Sequence, residues 1–126
     1  MKIVRAADRP FIPASHENPL APGVWKKILF EKGDFQAGAV QMINWARLPP
    51  QSAFAAHYHQ DMQEVFIIVD GTARMTVGEH QTELGPGDAI LVEAGEVHLM
   101  QNPGRADVEY VVVGVSSGRG GRTVVV

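Results

Sequence analysis

The stretch HYHQDMQEVFIIVDG, His57–Gly71, decides how this chain is read. Its second half, Glu64–Val69, is a short apolar run rich in β-branched residues, closed by the turn pair Asp70-Gly71. A helix is excluded there because the run has no polar face. The first half carries His57 and His59, two apart, so on a strand both side chains face the same way. Glu64 opens the next strand after a short turn, and His98 follows in a later one. Three imidazoles and one carboxylate can hold one metal ion if those strands lie side by side. A nitrogen-rich set with one hard oxygen suits Mn, Fe, Ni, Co or Zn and is poor for Ca or Mg.

Working outward, the chain reads as strands separated by turns. Downstream, Thr72–Val77 alternates, Gly78-Glu79 turns, and Gln81–Leu84 is a short strand closed by Gly85-Pro86-Gly87-Asp88. Ala89–Glu93, Val97–Gln101 and Val108–Val115 follow, the last two separated by Asn102-Pro103-Gly104. Upstream, Gly38–Leu48 is a strand ended by Pro49-Pro50, and Trp25–Phe30 is another. The proline-rich residues 1–24 form an irregular arm. Short strands at this spacing predict an all-β sandwich or barrel. Gly71, Gly78, Gly87 and Gly95 fall where the chain reverses and positive φ is expected. Asn102 is expected to hold its own turn through its side chain.

Composition narrows the function classes. The chain has 126 residues, 45% of them hydrophobic, and a net charge of -3. That length predicts one domain with its own core. No basic stripe is present, which argues against nucleic acid as a partner. With 0 cysteines, disulfides, thiolate metal sites and cysteine nucleophiles are excluded. No apolar run reaches membrane-spanning length, and the charged start lacks a signal-peptide pattern, so the expectation is a cytoplasmic protein without membrane contact.

The motifs around these residues resemble the cupin superfamily in its small single-domain form. His57, His59, Glu64 and Gly71 match its first motif, H-x-H, four residues, E, six residues, G. Gly87, Gly95, His98 and Asn102 match its second. The resemblance implies an all-β jelly-roll β-barrel (a double-stranded β-helix) with a 3-His/1-Glu metal site. The expected layout is one domain over residues 1–126: the arm 1–24, a barrel core of about 25–115 and a tail 116–126. The departures are Gln51 and Glu93, where the family often has glycine and proline. Some relatives place a ligating histidine one residue before the glutamate. Here that residue is Gln63, and Glu64 is preferred because a carboxylate neutralises metal charge whereas an amide does not.

Alternation from Glu64 and His98 predicts a mostly apolar lining that includes Phe66, Ile68, Met75, Val77, Ile90, Val92 and Met100. On the 40–48 strand either Asn44 with Met42 or Trp45 with Ile43 points inward. Tyr110 and Tyr58 are the candidate catalytic or substrate-contacting residues, and His16 and His80 are expected to face solvent. Arg47 and Arg74 are the only cations expected near a pocket. Up to two positions stay open on an octahedral ion held by four protein ligands, enough for water, substrate or dioxygen. The expectation is a metal-dependent enzyme, most simply a dioxygenase-like oxygenase of a small apolar, aromatic or dicarbonyl molecule, using one divalent Mn, Fe, Ni or Zn. This choice rests partly on the absence of an evident second acid–base residue, which an isomerase or lyase would need. The alternatives are such an isomerase or lyase, or a non-catalytic metal-containing cupin that binds a small molecule such as a sugar. Thr123–Val126 is apolar and extended and is read either as a frayed end or as a strand seeking a sheet edge, on a neighbouring subunit among other places. With the outward Val111, Val113 and Val115 it predicts a homodimer. Ser116–Arg122 reads as a flexible linker.

Overall fold

The computed structural model describes residues 1–35, 38–116 and 122–126. The linker expected over Ser116–Arg122 falls largely outside the described residues. In chain order the strands are β1 Ile12–Pro13, β2 Trp25–Glu31, β3 Val40–Leu48, β4 His57–His59, β5 Met62–Asp70, β6 Ala73–Val77, β7 His80–Leu84, β8 Ala89–Val92, β9 His98–Gln101, β10 Val108–Ser116 and β11 Thr123–Val125. The strands expected from sequence are present, with ends shifted by one or two residues. The arm adds β1, which pairs with β2, and a short 3-10 turn at Ala6–Asp8.

The strands form two sheets. One has six strands in the order β1-β2-β3-β10-β5-β8, the other five in the order β11-β4-β9-β6-β7. Their inward faces share one core, with Leu48, Ile68, Met75, Val92, Met100 and Val108 all at most 1% exposed. The alternation that builds it is clearest in β10, where every second residue from Val108 to Ser116 is buried. On β3 the same alternation settles the open choice: Asn44, Ala46 and Leu48 point in, and Trp45 does not. Ile90 and Val77 pack against the core from partly buried positions.

The expected closed jelly-roll β-barrel does not form. The strand order is cupin-like, but among the described residues neither sheet closes on itself. Closure requires every edge strand to find a second partner. Here β8 pairs only with β5, β7 only with β6, and the turn Gly85–Asp88 carries the chain from one sheet to the other. The result is two facing sheets with open edges.

The turns behave as their residues require. Gly71, Gly78, Gly87 and Gly95 all have positive φ. At Gly71 a Cβ would also sit 2.8 Å from Asp107 O, so only glycine fits. Asn102 holds its turn as expected, donating to Leu48 O (3.0 Å) and Ala106 O (2.7 Å) and accepting from Gly104 N (3.0 Å). Thr123–Val125 finds its sheet edge within the same chain, on β4, with Thr123 opposite His59 and Val125 opposite His57. The terminal strand therefore gives no reason to invoke a second subunit.

Candidate metal centre

The two sheets bring four side chains together between them. His57 and His98 are direct partners across the β4–β9 pair. His59 lies two residues along β4 on the same face, and Glu64 reaches over from β5 in the opposite sheet. All four are buried, and one potential ligand atom from each lies within 4.8 Å of the other three. Three Nε2 atoms converge on one carboxylate oxygen: His59 at 2.7 Å, His98 at 3.0 Å and His57 at 4.0 Å from Glu64 Oε1. Gln63 points the other way and donates to Glu93 Oε2 at 2.7 Å, so the residue in the proline-replacing position anchors the back of β5.

The outer contacts of the imidazoles say what the cluster is for. His57 Nδ1–H donates to Ala55 O at 2.7 Å and His98 Nδ1–H to Glu96 O at 2.9 Å. In the neutral rings these bonds fix the proton on Nδ1 and leave Nε2 with a bare lone pair. Both Nε2 atoms converge with that of His59 on the Glu64 carboxylate, where a cation can take the place of a shared proton. His59 Nδ1 sits 3.0 Å from the Thr123 hydroxyl. Around the cluster, the Phe54 ring lies 5.2 Å from His57 and 5.9 Å from His98, and Phe66 lies 5.8 Å from His98. The residues fit a divalent transition ion, with three nitrogens, one oxygen, buried sites and oriented ring tautomers.

Charge follows from this packing. Burial pushes the Glu64 carboxyl up, but the hydrogen bonds from His59 and His98 outweigh it and hold the group at about 2. Burial also lowers His57 to about 4, against the bond to Ala55 O and with the charge of His98 adding to the fall. Both ligands are thus in their metal-binding protonation states at neutral pH.

The cluster opens onto a cavity of about 520 Å³ whose wall includes Met42, Phe54, Met62, Phe66 and Val112. Of the apolar residues expected there only Phe66 reaches the wall; Ile68, Met75, Val77, Ile90, Val92 and Met100 belong to the core instead. Tyr110 lines the cavity. Burial and the charges of Glu64 and Glu17 raise its phenol well above its usual range, so it stays protonated. It can donate a hydrogen bond but cannot act as a base. Tyr58 does not line the cavity, because it sits between two inward histidines on β4 and alternation turns it to the other face. His80 is exposed on β7, as expected.

His16 is not where the sequence placed it. The arm folds over the site, and the His16 ring lies 4.0 Å from the His57 ring, tilted by 32°. Two contacts hold the arm there. Glu17 Oε1 accepts from Ala55 N at 2.9 Å, and Gly23 packs so tightly on Ala53 that a Cβ would collide with its carbonyl. Lys26 was also missed, and it lines the cavity. Lys26 and Ile28 sit opposite the inward Ala46 and Asn44, which turns both toward the wall, whereas a bulge shifts the register before Phe30. For His16 no local pattern exists, because its position depends on how the arm returns to the sheet. Arg47 instead bridges to Asp107 and Glu109, and neither it nor Arg74 lines the cavity.

Residues 44–114, more than half of the chain, match the family model described as a cupin domain, and the chain belongs to the cupin family. It is 26% identical over 77 residues to the mannose-1-phosphate guanylyltransferase ManC of Salmonella typhimurium, covering 61% of this chain but 16% of that protein. It is 28% identical over 67 residues to an oxalate-binding protein of Thermotoga maritima, covering 53% of this chain and 55% of that one. Among solved structures it superposes on a predicted oxalate decarboxylase from Thermotoga maritima with a TM-score of 0.80 at 22% identity, covering 91% and 99% of the two chains. The polyketide cyclase RemF from Streptomyces resistomycificus gives 0.79 at 20% identity, with coverage of 100% and 87%. At these identities the structural likeness establishes the fold. No helix among the described residues is long and apolar enough to cross a membrane.

Proposed function

We propose that this protein is a metal-dependent enzyme acting on a small organic molecule with an apolar or aromatic body and a pair of oxygen donors, as an oxygenase of catechol- or dicarbonyl-type compounds would. The observation that carries the reading is the opening of a buried three-histidine, one-carboxylate cluster onto an apolar-walled cavity of about 520 Å³. His57, His59, Glu64 and His98 would hold the ion, which supplies Lewis acidity and, for a redox-active metal, electrons. Phe54, Phe66 and Met62 keep water away from it, and Tyr110 offers a hydrogen bond to the bound molecule. The guanylyltransferase chemistry is not carried over, because the match covers 16% of that protein.

A second reading, non-oxidative proton transfer or decarboxylation, is favoured by one observation. His16 stands at the site, where the sequence offered no second acid–base residue. Against it, burial and the neighbouring His57 push His16 down to about 3, so at neutral pH it is an uncharged hydrogen-bonding group and a weak base. The two readings part in one experiment. Apo-protein is loaded anaerobically with Fe(II), Mn(II) or Ni(II), mixed with a panel of catechols and β-diketones, and then given oxygen. Metal-dependent oxygen uptake supports the oxygenase. Turnover without oxygen, of these or of oxalate-like acids, supports the second reading, and binding without turnover marks a non-catalytic binder.

We also propose that the protein works as a homodimer. The outer face of the six-stranded sheet exposes Ile67 and Val69 on β5 and Leu91 on β8, and exposed apolar groups on one face call for a cover.

A further inference from the structure

Several polar side chains outside the metal motif line the same cavity, among them His16 from the arm, Lys26, Glu31 and Lys32 from β2 and its end, and Asn44 from β3. Of these, His16 and Asn44 stand out, because both end in buried atoms without a partner. Among the described residues, neither His16 Nε2 nor Asn44 Oδ1 has a hydrogen-bond partner. The nearest acidic oxygen to His16 Nε2, Glu17 Oε1, is 3.6 Å away, beyond bonding range, and it is already taken by Ala55 N. An unsatisfied buried polar atom forfeits its hydration without a replacement bond, so two in one cavity wall ask for something that enters the cavity.

Lys26 adds a charge. Its Nζ contacts the Ser15 hydroxyl at 3.2 Å, and no carboxylate of the described residues lies within ion-pair distance. Burial lowers its pKa, with Glu31 opposing, which is the mark of an ammonium short of compensation. A divalent ion with Glu64 carries a net positive charge, and in the wall Lys26 and Lys32 outnumber the single carboxylate of Glu31, so the cavity is net cationic. A phosphate would ask for several donors or an arginine fork, and neither Arg47 nor Arg74 is present in the wall. A two-carbon diacid would leave most of the cavity empty and Lys26 unpaired.

We propose that the cavity binds a small organic acid whose oxygen donors face the metal cluster and whose separate carboxylate pairs with Lys26, while His16 Nε2 and Asn44 Oδ1 hydrogen-bond its polar edge. This rests on the metal reading above and deepens it by giving the substrate a charge and a shape. A molecule of this class has an apolar or aromatic body joining a chelating end to a carboxylate. Asn44 Oδ1 accepts from a hydroxyl, and the neutral His16 ring closes over the body.

The test uses zinc, which does not oxidise the probe, and two probes that differ in charge and by one methyl group. Dihydrocaffeate carries a catechol and a carboxylate, and its methyl ester lacks the charge. Both are titrated calorimetrically into the zinc-loaded full chain at neutral pH, together with Lys26→Met, Asn44→Leu and His16→Ala variants whose zinc content is measured first. We expect dihydrocaffeate to bind about tenfold tighter than the ester, in line with a charge-assisted hydrogen bond. Lys26→Met should abolish that preference with zinc content unchanged, whereas Asn44→Leu and His16→Ala should weaken both probes alike. Equal binding of the two probes to the parent protein, no binding of either, or a preference that survives Lys26→Met each overturns the proposal while leaving the metal site standing. Failure of the parent chain to take up zinc overturns the metal reading itself, and this inference with it.

Discussion

Thr123 and His59 are cross-strand partners, and the Thr123 hydroxyl sits 3.0 Å from His59 Nδ1. The last strand of the chain therefore orients one of the imidazoles of the metal cluster. Outer contacts of this kind set the tautomer and direction of a ligand ring, and their loss typically costs about 10–100-fold in metal affinity.

Thr123→Val keeps the shape and β-propensity of the residue but removes the hydroxyl. It should weaken zinc binding by about tenfold while leaving the melting temperature of the apo-protein nearly unchanged. Thr123→Ser should restore most of the affinity. A competition titration against a chelator checks both, and unchanged affinity in Thr123→Val would remove Thr123 from the account.

Acid should destabilise the apo-protein well before its carboxylates are fully protonated. His57 falls from its usual 6.5 to about 4 and His16 to about 3, both chiefly through burial. Between those values and 6.5 the unfolded chain binds protons that the folded chain refuses, so stability is full above about pH 6.5 and declines as pH falls through the window. Glu64, held at about 2 against its usual 4.5, acts in the same direction at lower pH. Urea unfolding of metal-free protein at pH 7.5 and pH 4.5 should differ by on the order of 5 kcal/mol, the scale of two such histidine shifts over the interval. The His57→Phe variant should show a smaller difference. A stability that stays level or rises on acidification would contradict the burial assigned to these rings.

Gln51 occupies a position where the cupin pattern often has glycine, and it adopts φ +59°. A non-glycine residue in that region costs about 1–2 kcal/mol. Its side chain offsets part of this by donating from Nε2 to Pro103 O at 2.7 Å and to Gly104 O at 2.9 Å. Gln51→Ala keeps the strain and loses the bonds, whereas Gln51→Gly loses both. The alanine variant should therefore be less stable than the glycine variant by about 1 kcal/mol in denaturant unfolding. The reverse order would show that the strain is absent.

The dimer prediction now rests on the sheet face alone. Sedimentation at micromolar concentration should show a species of twice the chain mass, and Ile67→Lys with Leu91→Lys should convert it to monomer. A monomer in the parent protein would refute the dimer.

How much could be read in the sequence varies with the range of the contacts involved. The metal cluster was fully legible, because H-x-H on a strand and the spacing to Glu64 are local patterns that alternation converts into direction. The choice of Glu64 over Gln63 followed from charge, since a carboxylate neutralises the metal and an amide does not. Strand closure was not legible, since whether β8 and β7 find second partners depends on how far the sheets splay, which no turn motif encodes. His16 escaped for a related reason: a histidine in a proline-rich arm looks solvent-exposed until Glu17 and Gly23 are seen to pin that arm over β4. That Tyr58 stays off the cavity wall followed from a rule already available, because a residue between two inward histidines points to the other face. Lys26 was overlooked because its inward direction shows only in its pairing opposite Ala46.

His57, His59, Glu64 and His98 are expected to hold one divalent transition ion. The most direct measurement is elemental analysis of the untagged protein beside its His57→Ala/His98→Ala double variant, both confirmed folded by circular dichroism. The account predicts about one equivalent of Mn, Fe, Ni or Zn per chain in the parent and near-complete loss in the double variant. Full metal content in the folded double variant would contradict it.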